Sequence, residues 1–184
     1  MRGRRVLAGL SLLVAAACGQ AANDEPPVNA EDVMFVQMMV QHHRQGIEIA
    51  KVGTSRATTP ELRTLTAAIE STQQSEVEMM LRWLHSWDQP LTPATSAHDH
   101  HGGMPETDAK QIQALRKSGN FEYDLCNLLI AHQDDAVQMA AAEVAGGANP
   151  TVQQWAAQVQ SSRKGQIDMM MELIKKEEPA REES

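Results

Sequence analysis

Shifted by ninety positions, the chain matches itself without a gap. His42 falls on His132, Ala50 on Ala140, Pro60 on Pro150, Ala67 on Ala157, Ser71 on Ser161, and Met79-Met80 on Met169-Met170. Where identity is lost the apolar character is kept: Phe35, Val40, Ile47, Ile49, Val77 and Leu84 align with Leu125, Ile130, Val137, Met139, Ile167 and Ile174. A repeated unit folds the same way twice and buries its apolar face against its copy. Apolar residues recur at helical spacing in both units, and no strand-length alternation appears. The first unit, residues 31–87, predicts a helix from about Ala30 to Gly53, with Asp32 near its start. A second helix runs from Pro60 to about Trp87, with Thr59 as N-cap and Pro60 at the first helical position. The second unit, residues 120–176, predicts helices from about Asn120 to Ala145 and from Pro150 to about Lys176, with Asn149 as cap and Gly146-Gly147 ending the helix before it. A shorter helix, Asp108 to Lys117, precedes Gly119. The expected fold is all-α: an antiparallel four-helix bundle over residues 31–178, made of two repeated helical hairpins with pseudo-twofold symmetry, followed by a tail, 179–184.

Polar residues sit where core residues belong. The stripe Phe35, Met39, Gly46, Ile49 has His42 in its middle, and the neighbouring stripe Val36, Val40, Ile47, Ala50 contains His43. In the second helix, Gln73 and Glu76 interrupt the stripe Leu62, Leu65, Ile69, Met80, Trp83, Trp87. A buried polar group without a partner costs on the order of 2 kcal/mol or more. Antiparallel pairing lets His42 and His43 face Gln73, Glu76 and Met80, so two readings arise: a structural hydrogen-bond network, or a metal site built from facing helices.

The chain ends bear on compartment. Arg2, Arg4 and Arg5 precede the short apolar run Val6 to Ala17, an export signal over residues 1–17 that is too short to span a membrane. The run Val14-Ala15-Ala16-Ala17-Cys18-Gly19 resembles a lipobox, which makes Cys18 the expected lipid anchor; ordinary cleavage after an Ala-x-Ala site is the alternative. Residues 18–30, rich in Pro, Asn and acids, read as a tether. Three of the 16 Lys+Arg leave with the signal, so 13 basic residues face 24 acidic ones and the net charge falls from −8 to −11. Nucleic acid is excluded as a partner on that charge. With Cys18 lipidated, Cys126 on an apolar helical face reads as a buried thiol, and no disulfide framework exists.

Residues 88–106 form a long loop holding His98, His100 and His101, three of the seven histidines, and Met104. Loops of this length are usually functional or disordered. The loop reads either as a flexible capture site for Cu(II) or as a solvated segment. The choice of metal follows from the donors. Glu-x-x-His, the di-iron signature, occurs nowhere, and a closed zinc site would call for more cysteine or further imidazoles. Imidazole with thioether suits copper, methionine favouring Cu(I). Core packing accounts for most of the 11 methionines; Met39 and Met80, and Met139 and Met170 in the second unit, have positions that could join a site.

The patterns Asp32-x-x-Phe35-x-x-x-Met39-x-x-His42-His43 and Gln73-x-x-Glu76-Val77-x-x-Met80-x-x-Trp83-Leu84-x-x-Trp87 resemble the family known as domain of unknown function 305. Gly103-Met104 and Leu115-x-x-Ser118-Gly119-x-Phe121 fit it as well, and the resemblance covers about Ala30 to Lys176. It implies a ferritin-like bundle, export and, in some members, copper binding and copper tolerance. The second unit departs from the family's Met-x-x-His-His, with Leu129, His132 and Gln133 in those places, and Asp135 replaces a small residue; in the first, Gly46 replaces an alanine and Ile49 a methionine.

Three functions are expected in order. The first is an exported, lipid-anchored protein of the cell envelope that sequesters or passes on copper, with His42, His43 and Met39 as principal ligands, Met80 and Glu76 completing or orienting the site, and His132 as the repeat equivalent. The second is a metal-free structural or interaction module. The third is a ferritin-like redox enzyme, resting on fold analogy with no nucleophile–base arrangement behind it. Expected partners are the metal ion and, through Cys18, the membrane; a homo-oligomer is left open.

Overall fold

Each hairpin turns on three residues. The structure, a computed structural model, describes residues 26–93 and 109–182, with side chains to residue 176. Helices α1 (Ala30–Arg56) and α2 (Pro60–Ser86) form the first hairpin, and α4 (Phe121–Gly146) and α5 (Pro150–Glu182) the second; α3 (Ala109–Lys117) is short. Connections this short force antiparallel neighbours. Across the hairpins α1 lies against α4, α3 leans on both, and α2 barely meets α5. The all-α bundle of two hairpins is as expected, and no strand occurs among the described residues. The signal, Cys18, most of the tether, His98, His100, His101 and Met104 lie outside the described residues.

The hairpins are joined by two carboxylates that do the same job in opposite directions. Asn29 and Asp32 form a capping box on α1: the Asp32 N–H donates to Asn29 Oδ1 at 2.9 Å, and the Asn29 N–H to Asp32 Oδ2 at 2.7 Å. The same Asp32 carboxylate also accepts the N–H groups of Asn149 at 2.9 Å and Ala148 at 3.2 Å, where α5 begins. Ninety residues on, Glu122 accepts the N–H groups of Thr58 and Thr59 and both threonine hydroxyls, where α2 begins. Each hairpin's first helix thus caps the other hairpin's second, satisfying donors a helix start leaves open. Thr59 holds the N-cap position but does not cap α2 itself, because its hydroxyl is spent on Glu122. Asn149 does cap, accepting from Thr151 and Val152.

Helices α2 and α4 end where expected, whereas α1 and α5 run past their expected ends, to Arg56 and Glu182, so that α5 takes in most of the expected tail. Helix α2 stops in a left-handed turn at Asp88 (φ 52), with Asp88 and Gln89 donating back to His85 and Leu84. Gly147 has an ordinary φ of −63, so the chain does not need glycine's left-handed freedom there. Its missing side chain matters instead, because a Cβ would lie 2.1 Å from Glu143 Oε1. Glu143 is buried at 2% exposure beside Asp32. Burial first, then the Asp32 and Glu31 carboxylates, push Glu143 up to about 8. Burial works on Asp32 in the same direction, but the Asn29, Asn149 and Ala148 N–H groups and the Glu143 proton hold it below its usual value.

Two apolar clusters fill the bundle on either side of a polar middle layer. One holds Phe35, Val36, Met39, Val40, Met80, Leu84 and Trp155, and the other Ile49, Leu62, Ile69, Leu125, Leu129 and Met170. Cys126 is buried in the second, as expected. No described helix is long and apolar enough to cross a membrane.

Two outcomes follow for stability. Asp32→Ala should cost about 2 to 3 kcal/mol in chemical denaturation, since it opens two helix starts and removes charged hydrogen bonds, with Glu122→Ala costing about 1 to 2 kcal/mol at its more exposed site. Because folded Glu143 keeps a proton that the unfolded chain releases near 4.5, stability should fall as pH rises from there to about 8. Glu143→Gln should flatten that slope when unfolding is measured across the range.

Candidate metal centre

At mid-helix, α1 supplies His42 and His43, α4 His132 and Gln133, α2 Gln73 and Glu76, and α5 Arg163 and Gln166. His42, His43, Gln73, Gln133 and Arg163 have no exposure and His132 has 1%. His43 meets Glu76 across the first hairpin, as expected, and His132 and Arg163 of the second hairpin interlock with them.

The rings of His42 and His132 stack across the pseudo-twofold, with centroids 3.8 Å apart and planes 13° from parallel. Neither ring nitrogen of His42 has a hydrogen-bond partner of normal geometry among the described residues. Burial first, then the neighbouring His132 and His43, hold His42 far below the ordinary imidazole range. Burial, then His43 and Arg163, push His132 down to about 3. His43 is lowered as well, by burial, with Glu76 opposing the shift. All three imidazoles are therefore neutral at physiological pH, the form that binds metals without a proton to displace.

His43 is the anchored member. Its Nε2 lies 2.8 Å from Glu76 Oε2 and 3.4 Å from Arg163 Nη2, and Arg163 Nη2 itself donates to Glu76 Oε2. Burial would raise Glu76, but the His43 hydrogen bond and the Arg163 guanidinium outweigh it and hold the carboxyl below its usual value. A neutral His43 bonded to a carboxylate carries its proton on Nε2, which leaves the Nδ1 lone pair available; Nδ1 has no partner. Trp155 meets the ring edge-on, with centroids 6.3 Å apart.

The layer obeys the repeat and breaks its charge. Counterparts ninety residues apart are His42 and His132, His43 and Gln133, Glu76 and Gln166, Gln73 and Arg163. Where His43 meets Glu76 and Arg163, Gln133 donates to Gln166 Oε1 at 2.5 Å and accepts from Gln73 Nε2 at 3.4 Å. One half is ionic and the other is a chain of amides. Gly46 makes room for this, since a Cβ there would sit 2.2 Å from Gln73 Oε1 and 2.6 Å from His132 Nε2.

The methionines are arranged differently from the sequence reading. Met39 and Met80 are fully buried in one apolar cluster, with Met39 one turn before His43 and Met80 one turn after Glu76. Met139 packs partly buried against that same cluster, whereas Met170 is buried in the other. The second unit's pair is thus split across the polar layer. The reason is that Met139 is the repeat equivalent of Ile49, on the opposite side of the histidines from Met39. Arg163 was missed altogether. Its signal was legible: it continues the buried stripe Val152, Ala156, Val159 toward Met170 at helical spacing.

The donor set fits a soft ion. It has neutral imidazoles with unpartnered nitrogens on His42 and His43 and thioethers a turn away. Among the described residues, no group of three or more His, Cys, Asp or Glu side chains is placed to hold a metal. Binding by imidazole and carboxylate alone would need side chains to move.

Residues 32–174 match the family described as Domain of unknown function (DUF305). Among solved structures, a DUF305 fragment from Deinococcus radiodurans is similar at 27% identity and a TM-score of 0.72, over 82% of this chain and 99% of that one. A DUF305 protein from Streptomyces coelicolor shares the fold at 24% identity and a TM-score of 0.74, over 79% and 93%. CopM in its Cu(I)-bound form is similar at 25% identity and a TM-score of 0.68, over 79% and 96%, and Cu(II)- and silver-bound forms of CopM match as well. No curated protein matches the chain.

Alanine in place of a helix-interior glycine ordinarily stabilises by about 1 kcal/mol. Gly46→Ala should instead destabilise by about 1 kcal/mol or more, because the new Cβ displaces Gln73 and His132 from sites with no free space. Thermal unfolding of the metal-free protein checks this.

Proposed function

The chain belongs to the domain of unknown function 305 family, and from that premise we propose that it is an exported, envelope-anchored protein that binds copper to sequester it or pass it on. The observation that carries this reading is His42: fully buried, stacked on His132, and without a hydrogen-bond partner of normal geometry at either ring nitrogen among the described residues. A structural histidine is normally satisfied. This one is not, and the copper- and silver-bound forms of CopM support the choice of metal.

His42 and His43 Nδ1 are the principal donors, with Met39 and Met80 as thioether donors that favour the cuprous state. Glu76 acts from behind, fixing the ring and the proton of His43 through its 2.8 Å contact, as outer carboxylates do for metal-bound imidazoles. His132 completes the imidazole set from the other hairpin. The all-amide half, Gln133 with Gln166 and Gln73, offers poor copper donors, so the protein takes one ion at its centre. The loop histidines His98, His100 and His101, with Met104, act as an outer capture site, and Cys18 carries the lipid that holds the protein at the membrane. We read the protein as a carrier or buffer and not an enzyme. The metal-free reading draws its support from Glu76 and Arg163, which pair with each other without an ion.

Anaerobic Cu(I) titration of residues 19–184 against a competing chelator should give one tightly bound ion per chain. His42→Ala with His43→Ala should abolish it, and the native protein should gain about 2.7 kcal/mol of stability at a hundredfold excess over the dissociation constant. Unchanged affinity in the double variant would sink the assignment.

A further inference from the structure

Arg163 is out of place in a copper site. Its side chain has no exposure, and it reaches the layer from α5, in the opposite hairpin from His43 and Glu76. A guanidinium cannot shed its charge and cannot ligate a metal. Packing does not demand it either, because the equivalent position in the other half of the layer, Gln73, is filled by a neutral amide. Charge is what Arg163 adds.

That charge has two effects on an incoming cation. It occupies Glu76, the carboxylate that hydrogen-bonds His43, through the same oxygen that meets the ring. It also cancels the charge of that carboxylate with a guanidinium that cannot be deprotonated. Desolvating an ion costs energy that grows with the square of its charge, so a divalent ion entering a buried layer meets about four times the penalty of a monovalent one. Divalent ions overcome that penalty with anionic ligands, and Arg163 has claimed the anion. A singly charged soft ion needs only the imidazoles and thioethers that remain.

We propose that Arg163 is the specificity-determining residue of the central site, holding Glu76 out of the ligand set and cancelling its charge so that the site accepts Cu(I) or Ag(I) and rejects Cu(II) and Zn(II). The proposal rests on the copper reading above.

The test uses residues 19–184 carrying His98→Ala, His100→Ala and His101→Ala, so that the loop does not mask the centre. Ag(I), Cu(I) and Zn(II) affinities are measured by chelator competition, with metal-free thermal unfolding as the folding control. Arg163→Gln, which places in this half the amide already present in the other, should raise the Zn(II)-to-Ag(I) affinity ratio by about tenfold or more. Adding Glu76→Gln should return the ratio to its starting value, since both charges are then gone. Arg163→Lys, which keeps the charge, should leave the ratio low and serves where Arg163→Gln folds poorly. Tight Ag(I) binding with an unchanged ratio in Arg163→Gln overturns the role of Arg163 and leaves the copper reading standing. Absence of Ag(I) and Cu(I) binding in the parent overturns the copper reading, and this inference with it.

Discussion

The reciprocal grip of Asp32 and Glu122 on the opposite hairpin's second helix sets the geometry of everything between them. Asp32 ties the start of α1 to the start of α5, and Glu122 ties the start of α4 to the start of α2. With both ends pinned, α1 and α4 cannot slide along each other. Their midpoints meet, and His42 comes to lie on His132. A slip of one helical turn, about 5.4 Å, would separate rings whose centroids are now 3.8 Å apart. Local capping and the central layer are therefore one construction: the ends fix the register and the register makes the stack.

Inside that frame, the two halves of the layer show what a repeat can do once its copies are free to differ. The backbone positions are equivalent, yet one half holds a histidine, a carboxylate and a guanidinium, and the other holds amides. The ionic half orients His43 and fixes its proton; the amide half fills space and links Gln73, Gln133 and Gln166, with Gln73 Oε1 left unpartnered. The buried imidazoles remain neutral because burial removes the water that would stabilise their charge and because Arg163 adds repulsion.

Much of this was legible in the residues. The ninety-residue repeat gave the hairpins, and the broken apolar stripes pointed inward at His42, His43, Gln73 and Glu76, all of which meet in the layer. What was not legible depends on the relation between hairpins, which the periodicity of one helix does not contain. The stacking of His42 on His132 needs the position of the pseudo-twofold. Met139 and Met170 share a unit but not a side of the layer, because equivalence by repeat maps each onto the opposite face. Arg163, by contrast, was legible from its place on the buried stripe of Val152, Ala156 and Val159, although its neighbours Ser161, Ser162 and Lys164 make it read as surface. Asp32 and Glu122 are equivalents whose partners lie 116 and 64 residues away, beyond any local capping pattern.

The crossed supply of the layer has a consequence for how such a chain can change over time. Arg163 in the second hairpin neutralises Glu76 in the first, and Gln73 in the first completes the amide chain of the second. Neither copy holds a finished half of its own. A substitution at one of these positions is therefore felt in the other copy, and the two hairpins cannot drift as separate lineages. They are duplicates in form and a single heritable unit in chemistry.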